Sequence, residues 1–472
     1  MKSRHGFASF VHCAVLLAAS ALAAETGAAV TDPGVRSAPT DAGPPIPMPG
    51  LGADELAFFR DGMARFATSE AASGADSTQG NGLGPRFNSN SCVSCHAQPY
   101  MGGSSPAQNP LIAIANLDGA ANEIPWFITA HGPIREARFQ NSNGARDGGV
   151  HNLFVVTGRS DAGACNIQQP VFTPAGNPVT GQGGNPNVVF RIPTPVYGAG
   201  LIEAIPDSAI LANLSRNAAQ NAPLGIKGHP NAILSGNTNL SANDGTITRF
   251  GWKAQNKSLL IFSGEAYNVE MGISNELFPQ ERDETPSCQT YKTTPNDVDN
   301  FVMTSAYPVT AILSDVEAFA NFMRMLAPPA PATPTASTLS GRASFIRVGC
   351  AACHTPSMTT GTAIATGSSR TPSSVMSGQT ANLYSDLLLH HMGQGLADGI
   401  SQGHAGPDEF RTAPLWGLGE RVYFLHDGRT SNLVAAITAH ASQGSEANTV
   451  VRQFESLNAT DQQNLINFLR SL

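Results

Sequence analysis

Leu56, Phe59, Met63 and Phe66 recur at three- and four-residue steps, so the first clear element of the chain is an amphipathic helix. Two later segments share one pattern. Ser314-Asp315 leads through Phe319 and Asn321-Phe322-Met323-Arg324 to Leu326, and Thr460-Asp461 leads through Leu465 and Asn467-Phe468-Leu469-Arg470 to Leu472. Each starts with a capping-box pattern, Ser314 with Glu317 and Thr460 with Gln463, which would partner the free amides of a first helical turn. Upstream, Gly62-x-x-x-Phe66 and Gly341-x-x-x-Phe345 also echo each other. Residues 258–273 read as a further helix. Between about 150 and 260 the pattern breaks into short β-prone runs, such as residues 187–192, set among Pro, Gly and Asn; this predicts strands and long loops. The chain therefore reads as mainly α with an internal repeat.

Within each repeat stands the same motif, Cys92-Val93-Ser94-Cys95-His96 and Cys350-Ala351-Ala352-Cys353-His354. Two thiols three positions apart can each form a thioether with one vinyl group of a porphyrin, and the His that follows is then held under the iron. Zinc would want a second Cys pair or a His pair within the same module, and none lies near either copy. Two covalent haem c groups are expected, on Cys92, Cys95, Cys350 and Cys353, with His96 and His354 as axial ligands. Each unit then runs helix, haem motif, loop, closing helix, the plan of a cytochrome c-like domain. His96 to Phe322 spans 226 positions but His354 to Phe468 only 114, so the first unit carries a large loop- and strand-containing insertion.

The expected division is a signal peptide over 1–23, a flexible lead-in over 24–50 and an N-terminal haem domain over 51–327 with its insertion at about 150–260. A Pro-rich linker over 328–338 and a C-terminal haem domain over 339–472 complete it. The export reading rests on Lys2, Arg4 and His5, the apolar run from Phe10 to Ala19, and the small-residue site Ala21-Leu22-Ala23. That run is too short to span a bilayer, and no later stretch is apolar enough to do so, so a periplasmic protein without a transmembrane segment is expected. Removing residues 1–23 takes the net charge from −8 to −10, which argues against nucleic acid and anionic membranes as partners. With Cys13 gone and four cysteines given to haem, Cys165 and Cys288 remain as a candidate disulfide.

Further stretches carry a resemblance. Gly84-Pro85-Arg86-Phe87-Asn88, residues 132–139 (Gly-Pro-Ile-Arg-Glu-Ala-Arg-Phe), Arg191-Ile192-Pro193-Thr194-Pro195, Gly251-Trp252-Lys253-Ala254-Gln255 and Asn275-Glu276-Leu277-Phe278-Pro279 are among them. So are Asp386-Leu387-Leu388-Leu389-His390, Pro414-Leu415-Trp416-Gly417 and Leu425-His426-Asp427-Gly428-Arg429. In these the chain resembles the bacterial di-haem oxidoreductases related to di-haem cytochrome c peroxidases, over nearly the whole length after the signal peptide. In those peroxidases a distal ligand, usually Met, follows His-Asp-Gly by fourteen positions; here that position is His440. The resemblance thus implies a second haem held by His354 and His440, with His426 and Arg429 as haem contacts and Met392 in a packing role.

For the first haem the distal position stays open among His131, His151 and an empty face. Glu136 and Arg135 are candidates for the proton transfer and charge stabilisation that O–O cleavage needs, or else a solvated salt-bridge segment. Trp126 is a candidate electron relay, as a Trp is in the related peroxidases, or else a core residue. Calcium is a further cofactor the resemblance implies. The partners expected are a small-molecule oxidant, hydrogen peroxide first, and a small periplasmic donor of cytochrome c or cupredoxin type. The competing readings are oxidation of another substrate at the same haem, an electron carrier with both irons six-coordinate, and a haem-stabilised binding module.

Overall fold

The computed structural model describes residues 29–36, 44–71, 80–81, 83–84, 86–117, 120, 123–139, 150–151, 154–155, 188–232, 247–279, 313–366 and 373–472. The expected signal peptide, Cys165 and Cys288 lie outside them. The protein is helix-rich, with strands of two to four residues. Among the described residues no helix is long and apolar enough to cross a membrane.

The sequence repeat is also a repeat of packing. Helix Ala53–Ala67 crosses helix Asp315–Met325, and helix Ala336–Arg347 crosses helix Ala459–Ser471. The two crossings meet in the same way. A side chain at Gly62 would run into the carbonyl of Ala318 and the Cβ of Phe322; one at Gly341 would run into the carbonyl of Asn464 and the Cβ of Phe468. Glycine is needed in both places because the backbones approach to van der Waals contact. Phe66 then packs on Phe319 and Phe322 at ring distances of 6.3 and 5.0 Å, and Phe345 packs on Phe468 at 5.4 Å. Each pair is the floor of an apolar cluster, one around Phe59, Phe66 and Phe322 and the other around Phe345, Leu465 and Phe468.

Several expectations need correction. The lead-in is pinned over its described residues. The Asp32 carboxylate accepts from both Nε and Nη2 of Arg470, each at 2.7 Å, and from the Leu433 amide at 2.6 Å. Met48 N donates to Met325 O at 2.7 Å. Local composition could not show these long-range partners. The C-terminal helix is capped by Asn458, which accepts from Asp461 N at 2.9 Å, rather than by Thr460; Asn serves as well as Thr at this position. Ser314 does cap, accepting from Glu317 N at 3.1 Å. The Pro-rich stretch ends at Thr335, where helix Ala336–Arg347 begins, three residues before the expected domain start. Within 150–260 the expected strand is present as Val188–Arg191, but helices Ala199–Ala204 and Asp207–Asn221 follow it. The second is rich in Ala, a strong helix former, and its Asn residues were misleading as loop punctuation.

Two local features position the site. Strand Glu136–Phe139 pairs antiparallel with Val188–Arg191, Glu136 opposite Arg191. Leu389–His391 pairs with Glu409–Arg411.

Candidate haem sites and the wall between them

Each Cys-x-x-Cys-His motif opens onto its own cavity. The first, of about 660 Å³, is lined by Cys92, Cys95 and His96; the second, of about 220 Å³, by Cys350, Cys353 and His354. Burial raises the pKa of each of the four thiols.

His96 and His354 share one hydrogen-bond arrangement. Nδ1 of His96 donates to Gly103 O at 3.0 Å, and Nδ1 of His354 donates to Tyr384 O at 3.0 Å. A carbonyl can only accept, so Nδ1 carries the proton and Nε2 keeps its lone pair for a metal. His440 repeats this, with Nδ1 donating to Ala436 O at 2.7 Å, and it lines the same cavity as His354. Burial lowers the pKa of all three, His354 to about 4, and the proximity of His440 lowers His354 further. Each is a neutral imidazole, as an iron ligand must be. His390 contrasts with them: its two nitrogens meet Glu446 at 2.7 Å and Asp386 at 3.0 Å, so no nitrogen is left for a metal. These residues fit haem.

The first cavity gathers polar groups. Glu136, Arg135, Arg138 and Glu270 line it. Burial raises the Glu270 carboxyl to about 8, and its neighbour Glu136 adds to the rise. Asn88 Nδ2 donates to Glu270 at 2.5 Å, and Arg138 pairs with Glu136. Arg135 Nε donates to Asp427 O at 2.9 Å. The chain thus brings Glu136 and Arg135 to the cavity that holds His96. Glu270 was missed by sequence reasoning; the signal was a carboxylate near the end of a largely buried helix, Leu259–Met271. His131 is exposed and lines neither cavity, and the side chain of His151 lies outside the described residues. Met271 and Met323 line the first cavity but are packed into the apolar core. Met392 is part of the second cavity wall.

Trp252 belongs to the walls of both cavities. Its Nε1 donates to Ile192 O at 2.8 Å, and its ring meets His426 edge-on at 6.4 Å. His426 stacks on Phe410 at 4.3 Å, and burial lowers its pKa to about 4. Trp126 is 44% exposed, sits edge-on to Phe127 and Phe190, and lines neither cavity. Arg429 is paired with Asp427 at 2.7 Å and donates to Gly395 O; it lines neither cavity. Arg191 and Lys253 converge on the buried Asp398, at 2.6 and 3.1 Å.

Two Cys-x-x-Cys-His cavities in one helix-rich fold, separated by a shared tryptophan, define a di-haem redox protein. Residues 182–472 match the family model described as "Di-haem oxidoreductase, putative peroxidase", and the chain belongs to that family. No curated protein matches it. Among solved structures it is similar, remotely, to hydrazine synthase of Kuenenia stuttgartiensis. That likeness has 12% identity, covers 91% of this chain and 95% of that one, and has a TM-score of 0.35. A MauG-like protein associated with microbial copper homeostasis is 16% identical over 36% of this chain and 55% of its own, with a TM-score of 0.24. The di-haem peroxidase BthA of Burkholderia thailandensis E264 is 11% identical over 52% of this chain and 75% of its own, with a TM-score of 0.27.

Proposed function

We propose that this chain is an exported, periplasmic di-haem c oxidoreductase that reduces hydrogen peroxide at its first haem site. The second site, built on His354 and His440, takes electrons from a small donor protein and passes them on. The observation that supports this division of labour is a difference between the cavities. The second contains two histidines with Nε2 free to ligate; the first contains His96 together with the Glu136–Glu270 pair. When bound, the haems supply the one-electron redox centres and, at the first site, the iron at which the O–O bond opens.

The chain's own groups do the rest. Reducing one peroxide to two waters consumes two electrons and two protons. Glu270, protonated at neutral pH, holds a proton inside the first cavity, and Glu136 beside it can receive or resupply one. The guanidinium groups of Arg138 and Arg135 offset negative charge as it develops on the leaving oxygen. Trp252, in the wall common to both cavities, is the relay position in place of Trp126.

Replacing Trp252 tests the relay. In a single-turnover reaction of the reduced protein with peroxide, Trp252→Phe is expected to slow oxidation of the second haem at least several-fold. Peroxide binding at the first should be unchanged. Equal rates in the two proteins would remove Trp252 from the path. Electron paramagnetic resonance of the ferric and the one-electron-reduced protein separates this reading from that of an electron carrier with both irons six-coordinate.

A further inference from the structure

We propose that Arg411 and Arg421 form the carboxylate-binding site that receives the propionates of the second haem, an inference that rests on the di-haem reading. Seven arginines among the described residues are more than nine-tenths buried. Five of them have a carboxylate partner: Arg138 with Glu136, Arg191 with Asp398, Arg249 with Asp207, Arg324 with Glu203 and Arg470 with Asp32. Arg411 and Arg421, 8% and 7% exposed, have none among the described residues.

Their hydrogen bonds to protein are few, although the Tyr197 hydroxyl also lies against Arg421. Arg411 Nε donates to Gly251 O at 3.1 Å, and Arg421 Nη2 donates to Pro414 O at 3.1 Å. Arg421 Nε is buried with no acceptor. The like charges also oppose one another: burial lowers the pKa of Arg411 to about 10, and Arg421 adds to the fall. Taking two cations out of water without an anion is among the costliest arrangements a fold can hold, so the site is built for an anion that the described residues do not provide.

Both arginines line the second haem cavity. Both also line a chamber of about 30 Å³ beside it, whose wall includes Trp252 and Tyr197. Haem carries two carboxylates on one edge, and a planar guanidinium binds a carboxylate through two parallel hydrogen bonds. With the propionates there, the pair would neutralise them and keep them ionised. The cations also favour the reduced iron, countering the low potential that two imidazoles would set.

The test is a spectroelectrochemical titration of the holoprotein, with haem content measured as the pyridine haemochromogen. Arg411→Gln and Arg421→Gln are each expected to shift the reduction equilibrium of the second haem about tenfold towards the oxidised form, 59 mV for one electron. A pH dependence absent from the wild type should appear as the propionates begin to titrate. Arg347→Gln, which removes an equal charge from a side chain 56% exposed, should change neither. If a glutamine variant loses the second haem, Arg411→Lys and Arg421→Lys should restore it, and failure to do so would overturn the proposal. Unchanged midpoint and pH slope in both variants, with two haems bound, would also overturn it. So would a wild-type midpoint that moves with phosphate or chloride concentration and stops doing so in the variants, because a solution anion would then fill the site. A wild-type protein binding no haem would sink the di-haem reading instead.

Discussion

Glu270→Gln is expected to lower kcat/KM for hydrogen peroxide by about 10²–10⁴-fold, the usual worth of a positioned acid. Glutamine can still accept the hydrogen bond that Asn88 donates, so the shape of the cavity should survive. What it cannot do is release a proton. The pH profile gives the sharper readout. Burial holds the Glu270 carboxyl protonated up to about 8, so turnover that draws on its proton should fall as pH rises through that value. The alkaline limb should be lost in the variant. Stability should move in the same sense, because a carboxyl whose folded pKa is raised from its ordinary value of 4.5 contributes fully below that value. That contribution is lost as pH rises through about 8, and Glu270→Gln should flatten this slope. A variant with wild-type kcat/KM and an unchanged alkaline limb would remove Glu270 from the reaction.

The second large effect is expected at His440. Its Nδ1–H is spent on Ala436 O, leaving Nε2 in the cavity of His354. His440→Ala should convert the second haem from low spin to high spin or to water ligation, because no other histidine lining that cavity is arranged in this way. His390 is held between two carboxylates, and His426 is stacked on Phe410 in the wall shared with Trp252. His440→Met should keep the iron low spin and raise its potential, since a thioether favours the ferrous state over imidazole. Among the described residues of that wall, Met392 is the one competitor. A ferric spectrum and midpoint unchanged in His440→Ala would assign the sixth ligand to another residue.

What the sequence made legible was whatever depends on short-range spacing. The two haem motifs, the Gly-x-x-x-Phe pair and the Phe322 and Phe468 positions were readable because helices and thioether chemistry impose fixed intervals. Glu136, Arg135 and His440 were reachable through the family resemblance, and the structure places all three in cavity walls. The remaining groups were hidden because their roles depend on what folds over them. Arg411 and Arg421 look like surface charges until burial without a carboxylate sets them apart, whereas Arg429, beside a conspicuous motif, is paired on the outside with Asp427. Trp126 and Trp252 are both tryptophans that the sequence leaves without a place relative to the haem motifs. Only the three-dimensional path of the chain shows that Trp252 reaches both cavities and Trp126 neither. The pinning of Asp32 against Arg470 spans more than 400 positions, beyond any local pattern.

The central claim is that the two irons differ, one closed by two histidines and one able to take peroxide. Electron paramagnetic resonance of the purified protein, fully ferric and again after one electron per molecule, tests it most directly. The account predicts a low-spin signal from the His354/His440 haem and, in at least one of the two states, a high-spin signal from the His96 haem. Two low-spin haems in both states would mean that neither iron is free. That result would contradict the peroxidase reading and leave the chain an electron carrier.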